Sequence, residues 1–494
     1  MINSSIKNKN KCYSLIVTPL LVIIAFSLFN CSNQETSKVP ITTKSEKALE
    51  YYKEGLLLTE KLRSQEAAYF YLKALAEDDE FAIAYLQMAQ LQTTPKLVFK
   101  YLAKAKSLIN NVSEGEKLLI LAFEAAINNE QEKQNDYYIE LLEEYPRDEW
   151  AQNIYAHFLF NIQKHKKAIK HYKIAININP NFSQPYNMLG YSYRELGDFE
   201  QAEVYFKKYI NLIEDDPNPY DSYAELLLKM GRFEESIEYY RKALEIKPDF
   251  IASIIGIASN LNLLDRHEEA CKELERIEQI STNPGELKRM HLAKAVANVD
   301  IGNFERAIKE LNENISISKS IDDDLAIGQD LINLGVLYLM YGKYEDALKY
   351  YEKSMDYFER SNISQDLKYY VRRQLFVNAG RVAYFKKDID TLKKYKEKYE
   401  SSAQKTMNPN EIRSVHELAG HINILEENYI DAIREYKQSN KQNPIILYLI
   451  GTAYEELGDV DKAYEIYESV AHFNSLNDLN FAYIRKTALA KLNN

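Results

Sequence analysis

The strongest constraint on the fold is a 34-residue pattern that occurs twice, end to end, in residues 183–250. A self-similar period of this length is typical of repeat proteins, in which each unit packs against its neighbours. The chain is therefore expected to stack one kind of module. The counterparts in the two copies are Tyr186 and Tyr220, Leu189 and Tyr223, Gly190 and Ala224, Tyr193 and Leu227, Gly197 and Gly231, Phe199 and Phe233, Ala202 and Ser236, and Phe206 and Tyr240.

The spacing within each copy predicts a helical hairpin. Positions 4, 7, 8 and 11 fall on one stripe of a first helix, and positions 20, 24 and 27 fall on one stripe of a second. Small residues at positions 8 and 20 let the two helices approach closely. Glycine at position 15 ends the first helix, and Pro248 cannot continue the second. Because one hairpin cannot bury both stripes, copies must stack.

These residues resemble the signature of the tetratricopeptide repeat family. The resemblance implies an all-α fold, a right-handed superhelical solenoid. Extending the 34-residue frame along the chain predicts about twelve hairpins and a C-terminal capping helix. The predicted parts are an N-terminal array at 46–284, a more divergent array at 285–477 and the capping helix at 478–494, with Arg485, Lys486 and Lys491 on its outer face.

The N-terminus is a separate element. Three lysines precede a mostly apolar run at 13–29, which predicts a signal peptide over residues 1–30. Leu28, Phe29, Asn30 and Cys31 resemble a bacterial lipoprotein processing site, which implies a lipid on Cys31, and residues 31–45 then form a flexible tether. An uncleaved anchor and ordinary cleavage after Ser27 remain alternatives. The expected location is the bacterial cell envelope, with lipid anchoring at the outer membrane.

Net charge limits the class of partner, and cysteine content limits the kind of fold. The net charge is −11, and removal of residues 1–30, which contain three lysines and no acid, lowers it to −14. An acidic chain without a basic run is a poor match for nucleic acid. The predicted mature repeats contain one cysteine, Cys271, so a disulfide framework is excluded.

No catalytic, cofactor or metal site is predicted. His416 and His421 resemble a zinc-protease motif, but they are five residues apart, which places them about 140° apart on a helix. The acidic triplet 322–324 is expected to be a solvated turn that caps the next helix.

The family's ligands usually lie in the concave groove, which is lined by positions 2, 5, 9, 12 and 13 of successive first helices. Carrying those positions over implies a groove with polar and aromatic groups that suits an extended peptide. The family's clamp for carboxylate tails is not implied, because its lysine and asparagine positions do not match. The implied groove residues are Trp150, Asn153, His157, Phe160, Asn161, Asn187, Tyr191, Arg194, Glu195, Asp221, Glu225 and Lys229.

The sequence therefore predicts a non-catalytic scaffold for protein interaction, held at a membrane by its lipid and binding a protein or peptide in the groove. A carbohydrate-binding lipoprotein of a nutrient-uptake system is the main alternative, although a single tryptophan and tight turns count against it. An enzyme with unrecognised chemistry is a third possibility.

Overall fold

The computed structural model describes residues 38–61, 63–92, 94–406 and 408–493. Within these residues the chain forms 25 α-helices and no β-strand, arranged as twelve consecutive antiparallel hairpins and one final helix. The all-α solenoid prediction is confirmed. None of the described helices has the length and apolar character needed to cross a membrane.

The hairpins follow one another along the chain with short turns. The helices are α1 (Glu46–Glu60), α2 (Ser64–Glu77), α3 (Ala82–Leu91), α4 (Pro95–Ser107), α5 (Glu114–Ile127), α6 (Gln131–Glu144), α7 (Glu149–Asn161), α8 (His165–Ile178), α9 (Ser183–Glu195), α10 (Phe199–Leu212), α11 (Pro217–Lys229), α12 (Phe233–Ile246), α13 (Ile251–Leu263), α14 (His267–Ile280), α15 (Pro284–Asp300), α16 (Phe304–Ser320), α17 (Asp324–Met340), α18 (Tyr344–Arg360), α19 (Gln365–Phe385), α20 (Ile389–Thr406), α21 (Pro409–Leu425), α22 (Tyr429–Tyr436), α23 (Pro444–Glu456), α24 (Val460–Ala471) and α25 (Leu479–Leu492). A short 3₁₀ helix, Ile109–Asn111, follows α4.

Local signals in the sequence set the helix ends. The predicted capping box is present at α5, where the Ser113 hydroxyl accepts from the Glu116 backbone N–H and the Glu116 carboxylate accepts from the Ser113 N–H. The turn inside each regular hairpin needs a left-handed residue, which is Gly197 at φ 77° in one hairpin and Asp265 at φ 58° in another.

Close packing inside the hairpins depends on glycine at position 8. A methyl group added to Gly190 would lie 2.7 Å from Cζ of Phe206, which is position 24 of the same hairpin. The repeat pattern predicted close approach at the small positions 8 and 20, but it did not predict this ring. Glycine at position 8 meets an aromatic ring at position 24 in five hairpins, at Gly55 and Tyr71, Gly190 and Phe206, Gly335 and Tyr351, Gly420 and Tyr436, and Gly451 and Tyr467.

The later hairpins are longer than the central ones. Helices α16 and α17 have 17 residues each, whereas α9 and α10 have 13 and 14. The extra residues thus extend the helices by about one turn. Asp323 caps α17 as predicted, accepting from the Ala326 N–H at 3.0 Å. It is not solvated, however, because it is 2% exposed and also accepts from the Lys96 N–H at 3.4 Å.

Successive turns of the superhelix touch each other. Gln65 in α2 donates to the Thr282 hydroxyl at 2.8 Å, and Gln442 after α22 donates to Glu195 at 2.8 Å. These pairs are 217 and 247 residues apart in the chain. The first six hairpins therefore lie against the last six, a closure that the repeat pattern did not predict.

The final helix caps the array, as predicted, and also reaches across it. Helix α25 packs on α23 and α24 and, in addition, on α15 of the eighth hairpin. Arg485 was expected on the outer face, but this expectation is wrong, because its side chain is buried against Asp300 of α15. Lys486 is exposed, and Lys491 pairs with Glu455 at 2.8 Å.

The described part of the predicted tether is packed on the array. The Val39 N–H donates to Asp148 at 2.8 Å, and the Thr42 N–H donates to Glu116 at 3.0 Å. The Ser113 hydroxyl donates to the Pro40 carbonyl at 2.7 Å. Residues 38–45 thus differ from the flexible tether that the sequence predicted, because capping carboxylates supply acceptors for their backbone. Residues 1–37, including Cys31 and the predicted signal peptide, lie outside the described residues.

Apolar packing is continuous where the sequence suggested a boundary between two arrays. Ile277 of α14 and Met290 of α15 belong to the same buried cluster. The division at 284 and 285 stays a prediction.

Candidate functional site

The twelve residues predicted to line the groove lie on α7, α9 and α11, the first helices of three consecutive hairpins. We call this set the groove residues. Their side chains occupy equivalent positions of successive repeats, so Asn153, Asn187 and Asp221 form one row along the array. All three side chains are buried, with exposed fractions of 5%, 5% and 6%.

Several groove residues hydrogen-bond to the next hairpin. The Asn153 amide donates to Gln184 at 2.7 Å. Arg194 donates to Glu225 at 3.2 Å, and it also pairs with Glu195 at 2.9 Å. These bonds make the groove floor part of the packing between repeats, which fixes its shape.

Asp221 makes a further link of this kind. The Ser253 hydroxyl of α13 donates to its carboxylate at 2.7 Å. Burial, with the nearby charge of Glu225 as a second cause, raises the pKa of Asp221 above its usual value. The row therefore ends in a carboxyl group that keeps its proton to a higher pH than an ordinary aspartate does.

The aromatic groove residues pack against neighbouring side chains. The Trp150 ring lies 4.8 Å from that of Phe182, and the Phe160 ring lies 5.0 Å from that of His165. The Arg194 guanidinium stacks over Tyr191 at 4.7 Å from the ring centre. These rings contribute walls to the groove.

Two kinds of polar group among the groove residues are candidates for contact with a ligand. His157 and Asn161 are exposed, although the protein around His157 desolvates its imidazole and lowers its pKa. The side-chain oxygens of Asn153 and Asn187 are buried without a hydrogen-bond partner among the described residues. Buried polar atoms normally have partners, so these two need an explanation.

Lys229 marks the end of the groove. Its ammonium group donates to the Phe473 carbonyl and lies 3.8 Å from the centre of the Phe473 ring. Burial, followed by the nearby charge of Arg194, lowers the pKa of Lys229 to about 8.

The chain after α24 covers the array beyond Lys229. Asn474 donates to the Lys229 carbonyl at 3.4 Å, and Asp478 and Phe481 border a small cavity together with Ala258 of α13. The segment after α24 therefore covers the array at the sixth and seventh hairpins. Sequence analysis missed this covering segment because it is 245 residues away from Lys229 in the chain.

The histidines of the zinc-protease-like motif have separate partners. The His416 ring hydrogen-bonds to Glu435 at 2.7 Å, whereas the His421 ring hydrogen-bonds to the Tyr436 hydroxyl at 2.8 Å and stacks on Tyr384. The spacing of five residues on one helix predicted that the two rings would point in different directions.

One cluster has the composition of a metal site. Ligand atoms of Asp265, His267 and Asp300 lie within 4.8 Å of one another. The Arg485 guanidinium lies between the two carboxylates, 3.6 Å from Asp265 and 3.1 Å from Asp300. An ion pair between hairpins therefore accounts for this cluster.

Comparison with known proteins agrees with the repeat pattern. Family models described as tetratricopeptide repeat match residues 183–216, 224–250, 286–360 and 446–472. No curated protein matches the sequence.

Solved structures with similar folds include a tetratricopeptide repeat protein from Parabacteroides merdae ATCC 43184, at 14% identity over 55% of this chain and 92% of that one, with a TM-score of 0.35. MamA from Desulfovibrio magneticus RS-1 is similar at 14% identity over 34% of this chain and 94% of that one, with a TM-score of 0.29. On the strength of its repeat matches and its stacked hairpins, the chain is a tetratricopeptide repeat protein.

Proposed function

We propose that this protein is a non-catalytic scaffold, anchored by a lipid on Cys31 in a bacterial cell envelope, that binds an extended segment of a partner protein in its groove. Tetratricopeptide repeat arrays are interaction scaffolds, and the stacked hairpins supply a long, rigid surface. The groove residues on α7, α9 and α11 are the binding surface in this proposal.

The observation that carries the proposal is the pair of unsatisfied amide oxygens in the groove floor. Asn153 and Asn187 occupy the same position in neighbouring hairpins, and each has a buried oxygen without a partner among the described residues. Leaving such an atom unpaired costs roughly 1–3 kcal/mol. Rotation of each amide toward the groove lets its oxygen accept an N–H from a peptide backbone. Two acceptors in register suit an extended chain.

Pre-organisation of the groove supports the same function. The bonds from Arg194 to Glu225 and from Ser253 to Asp221 already hold the floor in place. A ligand therefore orders few protein side chains on binding, which lowers the entropic cost of association.

The contacts of the N-terminal segment determine which hairpin a lipid on Cys31 would hold near the membrane. Lys38 pairs with Glu149 at the start of α7, and Val39 bonds to the neighbouring Asp148. Lys38 is seven positions after Cys31, so the chain between them spans at most about 25 Å. A lipid on Cys31 would keep the fourth hairpin, and with it the groove, near the membrane surface.

The packing of Trp150 speaks against the carbohydrate alternative. Sugar-binding platforms expose an aromatic face, whereas the one tryptophan of this chain is partly covered by Phe182. We therefore propose peptide binding and not carbohydrate binding.

Selection of a random-peptide library against the purified protein tests the proposal. We expect selected peptides to bind Asn153→Ala/Asn187→Ala at least about fivefold more weakly than the unaltered protein, since two hydrogen bonds are lost. The control is Asn211→Ala/Asn312→Ala, which removes two exposed asparagines outside the groove. Equal binding to both double variants would exclude the groove floor as the binding surface.

A further inference from the structure

A second concave region lies where the two turns of the superhelix meet. It is a cavity of about 900 Å³ between the fourth to sixth hairpins and the eleventh and twelfth. Gln442 bridges its two sides through Glu195, and Gln163 donates to Asn440 at 3.3 Å. Neither turn forms this cavity alone.

The charge of the cavity is opposite to that of the whole chain. The protein has a net charge of −11, yet the cavity lining contains five lysine or arginine residues and one carboxylate, Glu195. The cations come from both turns of the superhelix. They are Arg194, Lys229, Arg413, Lys437 and Lys441.

Four of these five cations lack a carboxylate partner among the described residues. Lys229 and Arg413 instead donate to the backbone carbonyls of Phe473 and Ile162, and Arg413 also donates to Asn410. Lys437 donates to the Tyr454 hydroxyl at 3.0 Å, and Lys441 is exposed without an ion pair among the described residues. Only Arg194 is paired with acids, Glu195 and Glu225.

Unneutralised cations in a partly enclosed space repel one another, because protein screens charge less than bulk water does. The lowered pKa of Lys229, caused by burial and then by Arg194, is consistent with this repulsion. An anion in the cavity would relieve the repulsion on both turns at once.

The form of the lining distinguishes between two classes of anion. Phosphate sites commonly converge several donors, often a bidentate arginine, on one point. Here the cations come from both turns of the superhelix, and amide, hydroxyl and apolar groups, such as Gln438, Ser469 and Leu447, line the cavity with them. Such a mixture suits a peptide that carries several carboxylates along its length.

We infer that the cavity between the turns binds an acidic stretch of the partner peptide, rich in aspartate or glutamate. This inference rests on the proposed function, because Arg194 and Lys229 belong to both the groove and the cavity. A peptide that runs along the groove floor from Asn153 toward Lys229 would enter the cavity at its end. Contact with both turns would then couple binding to closure of the superhelix.

Fluorescence anisotropy with a labelled eight-residue peptide of alternating glutamate and serine tests the inference directly. The comparison peptide has glutamine in place of glutamate. We expect the acidic peptide to bind at least about tenfold more tightly, and its affinity to fall as salt rises, since the attraction is screened. Inorganic tripolyphosphate is the competing anion.

The matched variants keep the net charge equal. Lys437→Gln/Lys441→Gln removes two exposed cations of the cavity, and Lys309→Gln/Lys353→Gln removes two exposed lysines elsewhere. We expect about a tenfold loss of affinity for the acidic peptide in the first variant and little change in the second.

The possible failures can be told apart. If acidic and amide peptides bind alike, or both double variants bind alike, the cavity is not an acidic-peptide site, even where library peptides still depend on Asn153 and Asn187. If tripolyphosphate binds through Lys437 and Lys441 and the acidic peptide does not, the cavity is a phosphate site and the inference is wrong. If library peptides ignore Asn153 and Asn187 but the acidic peptide needs the cavity lysines, the proposed groove fails and the cavity remains as the binding site.

Discussion

Arg485 in the last helix donates two hydrogen bonds to the carboxylate of Asp300, at 3.1 and 3.3 Å, across 185 residues of chain. Both side chains are buried, at 7% and 6% exposure. The pair joins the capping helix to the eighth hairpin and so links the two ends of the second turn of the superhelix. Because both charged groups are buried, each needs the other to offset the cost of its removal from water.

Arg485→Met should therefore loosen the C-terminal helix. The change leaves Asp300 buried without its guanidinium partner, and we expect a destabilisation of about 3–5 kcal/mol in the unfolding of this region. Hydrogen exchange measured by mass spectrometry should show faster exchange over residues 479–492. Lys486→Met, at the exposed neighbouring position, is the control. Unchanged exchange in Arg485→Met would mean that the ion pair does not hold the helix.

Gly190→Leu should separate the helices of the fifth hairpin. A Cβ atom at this position would already lie 2.7 Å from the Phe206 ring, so a larger side chain must displace that ring. We expect a loss of roughly 1–3 kcal/mol, visible as a lower midpoint of thermal or urea unfolding. In a Phe206→Leu background the destabilisation caused by Gly190→Ala should be smaller than in the unaltered protein. Additive effects of the two changes would contradict this packing.

The stability of the first hairpin should depend on the protonation of Glu60. Burial raises the pKa of Glu60 from 4.5 to about 7 in the folded protein. Between these values the unfolded chain is ionised and the folded chain keeps its proton, so stability falls as pH rises from about 4.5 to about 7. Glu60→Gln should remove this fall.

The free energy of unfolding, measured in urea at pH 5 and at pH 8, tests this expectation. The advantage of Glu60→Gln over the unaltered protein should grow by on the order of 1–3 kcal/mol between the two values. The same advantage at both pH values would show that Glu60 is not desolvated.

Cys31→Ser should release the protein from membranes, because the serine hydroxyl does not take the place of the lipidated thiol. The expected result is a shift from the membrane pellet to the soluble fraction after ultracentrifugation, together with loss of labelling by a fatty-acid probe. Cys271→Ser, in the repeats, should keep both the location and the label. Membrane retention of Cys31→Ser would indicate an uncleaved anchor instead.

Binding of the acidic peptide should weaken between pH 7 and pH 9. Lys229 has its pKa lowered to about 8, so it loses its charge in this range, whereas the peptide carboxylates stay ionised throughout. Lys229→Gln should bind more weakly at pH 7 and show a much flatter pH profile by fluorescence anisotropy. A steep profile that persists in Lys229→Gln would assign the pH dependence to another group.

The groove as a binding surface stays a prediction. Position numbers within the repeat assign Asn153, Asn187 and Asp221 to equivalent positions of α7, α9 and α11, and these helices are the first helices of consecutive hairpins. Their pairing with the next hairpin was not predictable from position alone, since it depends on the identity of side chains such as Gln184 and Ser253. The position numbers within a repeat gave no indication of the cavity between the turns.

The amino-acid sequence by itself determined the helical hairpin, its turn residues and the number of copies, because these depend on contacts within one repeat and with its nearest neighbour. Gly197 and Gly231, which end the first helix in two consecutive repeats, are enough to set that register. Only the tertiary structure decided that the first turn meets the second and that Arg485 reaches Asp300. Those contacts arise from small rotations between repeats that add up over about six hairpins, and no local pattern encodes their sum.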